Sequence, residues 1–424
     1  MNTHKINIVS IMVVMLFCSC NKQKTYTQEE LYNKVSSGVL LIKTNFTQTI
    51  TISDGNRSCD YRFVLDNNGI EFYENWENID DSEIRNTSYG TGFLISPNGV
   101  VVTNSHVVLP KAENGDYIFQ ALKQYINNKI IHDIQSIDLY TRQREAILSM
   151  AKYGLSNEDS KALREINEIL YLKPKIIESN KEKLRWEKYE IRPNVTEINV
   201  AYNNSNIYDP KSWIYCTELV NNPSYDLAII HMHQFTKKDV YEEKTKYENS
   251  EDFNTRFFAE NHAISNLICK EDFKRYEGWK IVPDDKYIFP ISEITSHSAE
   301  IKLYMIGYNQ GPLLAHTESG IKAQITQGNI SQNTNDIQMM YSIPALQGSS
   351  GSPVLNQYGE LVAINFAGIS TTQNFNYGIK VNKLNELIED DRVKPFMVNH
   401  KSTNTEKSDS IIMENVEAIE VSVK

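Results

Sequence analysis

The chain has 424 residues, 40% of them hydrophobic, enough to bury one large unit with appendages. Its formal net charge of −11 speaks against nucleic acid as a partner, because affinity for phosphate backbones rests on Lys and Arg. Cysteine excludes a disulfide scaffold and a zinc site: beyond Cys18 and Cys20 only Cys59, Cys216 and Cys269 remain, widely spaced.

In chain order, Lys5 precedes a mostly apolar run from Ile8 to Phe17, too short to cross a bilayer but suited to the core of a signal peptide. The run closes in Phe17-Cys18-Ser19-Cys20, which resembles a bacterial lipoprotein signal. Ser19 supplies the small residue before the cysteine, so residues 1–20 read as a signal peptide and Cys20 as the lipidated N-terminus; Phe17 departs from the favoured leucine. A lipid anchor of this kind tethers a protein to a membrane surface without a spanning helix, and an ordinary secretory signal is the alternative.

Gly90-Thr91-Gly92-Phe93-Leu94-Ile95 and Val100-Val101-Val102 flank the turn Pro97-Asn98-Gly99 and read as strands, the second running into Thr103-Asn104-Ser105-His106. From about residue 111 the period changes. Ile118, Leu122, Tyr125 or Ile126, Ile130, Ile134 and Ile137 recur at three- and four-residue steps, which predicts an amphipathic helix. Gly154 predicts its stop, Ser156 with Asp159 a capping pair opening a second helix, and Pro174 the end of that helix; Ser179 to Tyr189 is predicted helical as well. Strand character returns at Ile198-Asn199-Val200-Ala201, at Leu227-Ala228-Ile229-Ile230 behind Tyr225-Asp226, and at Leu361-Val362-Ala363-Ile364 after the turn Gln357-Tyr358-Gly359. His231 and His233 share one face of a strand but have no third ligand nearby, so no metal is expected there.

Three of these places combine into a chemistry. Gly348-Ser349-Ser350-Gly351-Ser352-Pro353 sets a serine between glycines, the mark of a nucleophile in a tight turn. A serine hydroxyl needs an imidazole to take its proton and a carboxylate to orient the imidazole, which makes His106, Asp226 and Ser350 the candidate base, orienter and nucleophile. Their order, His then Asp then Ser, is that of one class of serine-hydrolase triad. The N–H groups of Gly348 and Ser350 are the candidate oxyanion hole.

The residues around these sites resemble trypsin-like proteases of the HtrA/Deg type. Gly90 to Ser96 with Val102 to Val108 is similar to the histidine region, and Asp226-Leu227-Ala228 to the aspartate motif. Met305-Ile306-Gly307-Tyr308, Ile325 to Ser331 and Gln347 to Leu355 follow in the required order. The resemblance implies two packed six-stranded antiparallel β-barrels with helical insertions, the triad meeting in the cleft between them. It divides the chain into a first barrel over 26–235 carrying a helical insert at about 111–193, a partly helical segment at 236–283, a second barrel at 284–392 and a polar tail at 393–424 that leaves no room for a PDZ module.

The same resemblance places the specificity pocket at Pro344, Leu346, Gln347, Asn365, Phe366 and Ala367, stretches without a carboxylate, and so implies a preference for uncharged side chains at the cleaved position. Ser349 stands where digestive enzymes carry an aspartate, which removes activation by a freshly cut N-terminus. The function expected is a serine endopeptidase acting on proteins or peptides, without a cofactor, on the bacterial cell envelope. The alternative is a catalytically silent relative that uses the same fold to bind a protein partner; the presence of all three triad residue types together with the oxyanion glycine favours catalysis.

Overall fold

The computed structural model describes residues 24–66, 69–74, 84–112, 114–151, 154–274, 280–291, 301–332, 335–368 and 375–397. Residues 1–23, which include the segment read above as a signal peptide and Cys20, and the stretch 398–424 lie outside the described residues. Helix α1 (Gln28–Val35) opens in a reciprocal cap between Thr27 and Glu30 and leads into β1 (Val39–Ser53). Next come β2 (Ser58–Asp66), β3 (Gly69–Tyr73), β4 (Asn86–Leu94), β5 (Val100–Thr103) and the single-turn helix α2 (Ser105–Val108). The helices α3 (Gly115–Met150) and α4 (Asn157–Lys183) precede β6 (Lys188–Tyr202), β7 (Ile214–Asn222) and β8 (Leu227–Thr236).

β1 pairs along its length with β6 and, over its first half, with β4, so the ring β1-β4-β5-β8-β7-β6 closes on itself. Alternation of side chains along each strand sorts the apolar residues onto two faces. Leu40, Ile42, Val101, Val200, Ala228 and Ile230 fill one core cluster, while Leu41, Phe93, Val102 and Ile229 face the second half of the molecule. Burying each of the Leu, Ile, Val and Phe side chains among them stabilises by roughly 1.5–3 kcal/mol. The distal half of β1 carries β2 and β3 as a ribbon beyond the barrel.

The helical insert covers that ribbon. Ile118, Phe119, Leu122, Ile126 and Ile130 of α3, with Ile177 and Trp186, pack on Ile50, Ile52, Tyr61, Phe63 and Phe72. Ile134 falls off this contact and is 52% exposed, while Ile137 is partly buried against the same cluster. Ser156 and Asp159 form the expected capping box. Pro174 does not end α4: the helix runs through it to Lys183, because one missing N–H is offset by the packing of Ile177 and the Lys173–Asp133 ion pair on either side. Ser179 to Tyr189 is correspondingly helical only as far as Lys183, and residues 188–193, expected in the insert, belong to barrel strand β6.

A second helical cover, α5 (Lys237–Glu248), α6 (Phe253–Phe257) and α7 (Ala259–Lys274), follows β8. Phe235, Val240 and Ala263 form its core, and Glu271 fastens it by accepting from Gln234 N–H and from His233 Nδ1 at 2.5 Å. His233 Nε2 lies 3.2 Å from Thr217 Oγ1 and His231 Nε2 lies 3.0 Å from Asn98 O, so both imidazoles serve packing. Cys59, Cys216 and Cys269 are free thiols.

The connection at 280–291 crosses the first barrel, with Val282 N–H donating to Pro97 O and Phe289 N–H to Leu94 O. The second barrel comprises β9 (Lys302–Gly307), a short helix α8 (Pro312–Ala315), the hairpin β10 (His316–Thr317) and β11 (Gly320–Ile321), then β12 (Gln324–Gln332), β13 (Gln338–Tyr341), β14 (Pro353–Asn356), β15 (Leu361–Gly368) and β16 (Asn376–Lys380). Six of these strands close in the order β9-β12-β13-β16-β15-β14 around Leu303, Met305, Met339, Tyr341, Val354 and Ala363. The fold is thus the pair of closed six-stranded antiparallel barrels expected, joined by a shared cluster that runs from Leu41 and Phe93 to Tyr304, Ile306, Tyr308 and Ile364. Helix α9 (Val381–Ile388) and the turn α10 (Lys394–Met397) complete it. Residues 394–397, expected in a polar tail, are docked instead: Phe396 O accepts from Ser96 Oγ at 2.6 Å and from Asn98 Nδ2 at 3.1 Å.

Candidate active site

His106 sits on α2, immediately after β5. Val107 and Val108 are buried in the first barrel, and Thr44 Oγ1 donates to Val107 O at 2.7 Å. The helix therefore has one orientation, and it leaves the imidazole 42% exposed. Asp226 lies in the turn between β7 and β8, where Asn222 Oδ1 accepts the N–H groups of Ser224 and Tyr225. Its φ of +52° falls in the left-handed region, a strain of roughly 1–2 kcal/mol for a residue with a Cβ. Asn104 Nδ2 holds this conformation by donating to Asp226 O at 2.9 Å.

The result is a two-point grip. Asp226 Oδ1 accepts the main-chain N–H of His106 at 3.0 Å, and Asp226 Oδ2 lies 2.8 Å from His106 Nδ1. A carboxylate only accepts, so the imidazole proton belongs on Nδ1 and the lone pair is left on Nε2, where a base needs it.

Ser350 arrives from the second barrel, in the turn that leads into β14. Gly348 and Gly351 have φ of +90° and +85°, values that a side chain would oppose. Each carbonyl of this turn is tied into the protein. Gln347 O accepts from Gln310 N–H at 2.5 Å, Gly348 O from Thr91 Oγ1 at 2.8 Å, and Ser350 O from Thr91 N–H at 2.8 Å. Ser349 O accepts from Ser352 N–H and from Asn365 Nδ2, both at 3.0 Å. A trans peptide sends its N–H opposite to its C=O, so pinning Gln347 O and Ser349 O turns the N–H groups of Gly348 and Ser350 outward. Neither of those N–H groups meets a protein acceptor among the described residues. This is the arrangement an oxyanion hole requires.

The two halves of the site meet through Thr91. It is held to β5 by Thr103 Oγ1, which donates to Thr91 O at 2.8 Å, so the Ser350 turn is fastened to the strand pair that ends in His106. Gly351 packs so closely there that a Cβ would fall 2.0 Å from Thr91 O.

Of the residues expected to line the specificity pocket, Pro344, Leu346 and Gln347 are exposed and Phe366 is half-buried beside the turn; Ala367 lies on β15. Asn365 is different. It is 2% exposed, its Oδ1 accepts from Tyr341 Oη at 2.8 Å and its Nδ2 donates to Ser349 O, so it braces the Ser350 turn from behind rather than opening onto the surface. Burial pushes the Tyr341 phenol well up, which keeps it a donor. No Asp or Glu occurs in 343–347 or 365–380.

Gln310, Thr91, Thr103, Asn104 and Tyr341 escaped sequence reasoning as site residues. Thr91, Thr103 and Asn104 stand inside recognisable motifs, but nothing in a motif shows which way a hydroxyl or amide points.

A model of the trypsin-like peptidase domain matches residues 280–364, the stretch that ends in β15 and includes Ser350. Among solved structures, the chain is similar to a serine endoprotease from Yersinia pestis, at 11% identity and a TM-score of 0.38 over 88% of this chain and 68% of that one. It is also similar to an HtrA-type protease solved with a decapeptide, at 10% identity and a TM-score of 0.39 over 86% of this chain and 66% of that one. The chain spans about two thirds of the length of each. No curated protein sequence matches it.

Proposed function

We propose that the chain is a serine endopeptidase that cleaves protein substrates through an acyl-enzyme. What supports this reading is a His106 imidazole gripped by Asp226, together with a Ser350 turn that is fastened to the first barrel through Thr91 and whose outward N–H groups are free to receive an oxyanion. In this scheme His106 Nε2 takes the Ser350 proton as Oγ attacks the scissile carbonyl, and Asp226 stabilises the imidazolium. The carbonyl oxygen gathers negative charge between Gly348 N–H and Ser350 N–H. His106 then returns the proton to the leaving amine, and water, activated by the same imidazole, releases the acyl group.

The absence of carboxylates from 343–347 and 365–380 supports uncharged side chains at the cleaved position. The apolar run from Ile8 to Phe17 and the Ser19-Cys20 pair support export and a lipid anchor at the bacterial envelope. The first helical insert packs on the β2–β3 ribbon, and among the described residues its core cluster includes none of the second barrel, which supports a cleft open to substrate.

The test is labelling with a fluorophosphonate probe, which reports an activated serine. The purified protein is expected to label, and Ser350→Ala and His106→Ala are each expected to abolish labelling. Folded wild-type protein that does not label would overturn the reading in favour of a binding module.

A further inference from the structure

We infer that Thr91, a residue of the first barrel, positions the oxyanion hole of the second, its hydroxyl acting as the latch between them. This rests on the serine-peptidase reading above and names a positioning residue within it. Thr91 is fully buried, and each of its polar groups is engaged. Its N–H donates to Ser350 O and its carbonyl accepts from Thr103 Oγ1. Its hydroxyl accepts from Tyr308 N–H at 3.0 Å and donates to Gly348 O at 2.8 Å.

A hydroxyl has a single proton to give, and Thr91 spends it on the carbonyl of the Gly348–Ser349 peptide. That peptide lies between the two that carry the oxyanion donors. Its setting defines ψ of Gly348 and φ of Ser349, the two torsions through which the peptides carrying Gly348 N–H and Ser350 N–H are joined to it, so holding its carbonyl holds the relative aim of the two donors. The acceptor half of the same hydroxyl holds Tyr308, which opens the segment whose Gln310 N–H pins Gln347 O. One buried atom thereby constrains both neighbours of the Gly348 amide. Main-chain pairing alone does not do this, since the Thr91 N–H reaches only Ser350 O.

Two substitutions separate the hydroxyl from the packing. Thr91→Ser keeps the hydroxyl and loses a methyl; Thr91→Val keeps the shape and loses the hydroxyl, leaving Tyr308 N–H and Gly348 O without their partner. The measurements are the second-order rate of fluorophosphonate labelling, kcat and KM for p-nitrophenyl acetate, and thermal melting. Removing one oxyanion donor outright costs about 100–1000-fold, and misaiming a pair costs part of that, so Thr91→Val is expected to lose about 10–100-fold in labelling rate and in kcat with KM within about twofold. Thr91→Ser is expected to stay within about threefold of wild type even where its melting temperature is lowered by the missing methyl. Thr91→Ala covers the case in which Val does not fold, and it is expected to fall below Ser in rate by about tenfold or more.

Val or Ala variants that label as fast as wild type would overturn the inference, as would rates that follow melting temperature rather than the presence of the hydroxyl. Wild type that fails to label, with Ser350→Ala indistinguishable from it, would instead overturn the peptidase reading on which the inference stands.

Discussion

Asp226→Asn tests the triad where the geometry is most explicit. Asp226 accepts two donors from one residue, the His106 N–H at 3.0 Å through Oδ1 and the imidazole Nδ1 at 2.8 Å through Oδ2. An asparagine has a single acceptor oxygen. If that oxygen keeps the main-chain N–H, the amide NH2 faces Nδ1 and drives the imidazole proton to Nε2, where the base becomes a donor. If the amide turns to serve Nδ1, its NH2 opposes the His106 N–H inside a turn already strained at φ +52°. Either way the productive tautomer is disfavoured, and the imidazolium formed on attack loses its counter-charge. A loss of about 10,000-fold in kcat is expected, which is about 5.5 kcal/mol of transition-state stabilisation. Burst and steady-state hydrolysis of p-nitrophenyl acetate measures it, alongside urea unfolding, which is expected to show only about 1–3 kcal/mol of lost stability from the weakened grip. A kcat within tenfold of wild type in a protein that still labels at Ser350 would refute the assignment of Asp226 as the orienting group.

Two further outcomes follow from the packing. Gly351→Ala is expected to abolish fluorophosphonate labelling and lower the melting temperature, because a Cβ there falls 2.0 Å from Thr91 O and 2.5 Å from Thr103 Oγ1 on a backbone at φ +85°; normal labelling would show that the turn is not built against β4 and β5 as described. Glu197, buried under the second helical cover, accepts from Asn45 Nδ2 at 2.6 Å and Lys237 Nζ at 2.9 Å. Burial pushes its carboxyl up, but Lys237 and the hydrogen bonds outweigh it and hold the group below the usual carboxylate range. A depressed folded value means stability that is present above the unfolded value, about 4.3, and lost as pH falls through the folded one. Breaking this buried ion pair with Glu197→Gln is expected to cost about 3 kcal/mol at pH 7, and urea titrations should show the gap to wild type narrowing as pH falls below about 4; a gap independent of pH would refute the ion-pair account.

The sequence by itself put forward His106, Asp226 and Ser350 as candidates, in that order, with the two glycines of the Ser350 turn, because chemistry restricts which residues can serve and tight turns restrict which can fit. Strand runs such as Val100 to Val102 and the capping pair Ser156 with Asp159 were legible for the same reason: their signals are local, carried by a few adjacent side chains. Pro174 shows the limit. Its local preference to end a helix was overridden by Ile177 and Lys173 packing against partners far off in the chain. The resemblance implied that Asn365 lines the specificity pocket, yet the bond from Tyr341, 24 residues away, turns it into a brace. Thr91 stood inside a recognisable motif, yet nothing there showed that its hydroxyl holds the Gly348 carbonyl, 257 residues away. Which atoms turn the Gly348 and Ser350 N–H groups outward was decided only when two barrels closed and met, because a hydrogen bond depends on direction, and direction across an interface is a property of the packed fold rather than of any stretch of sequence.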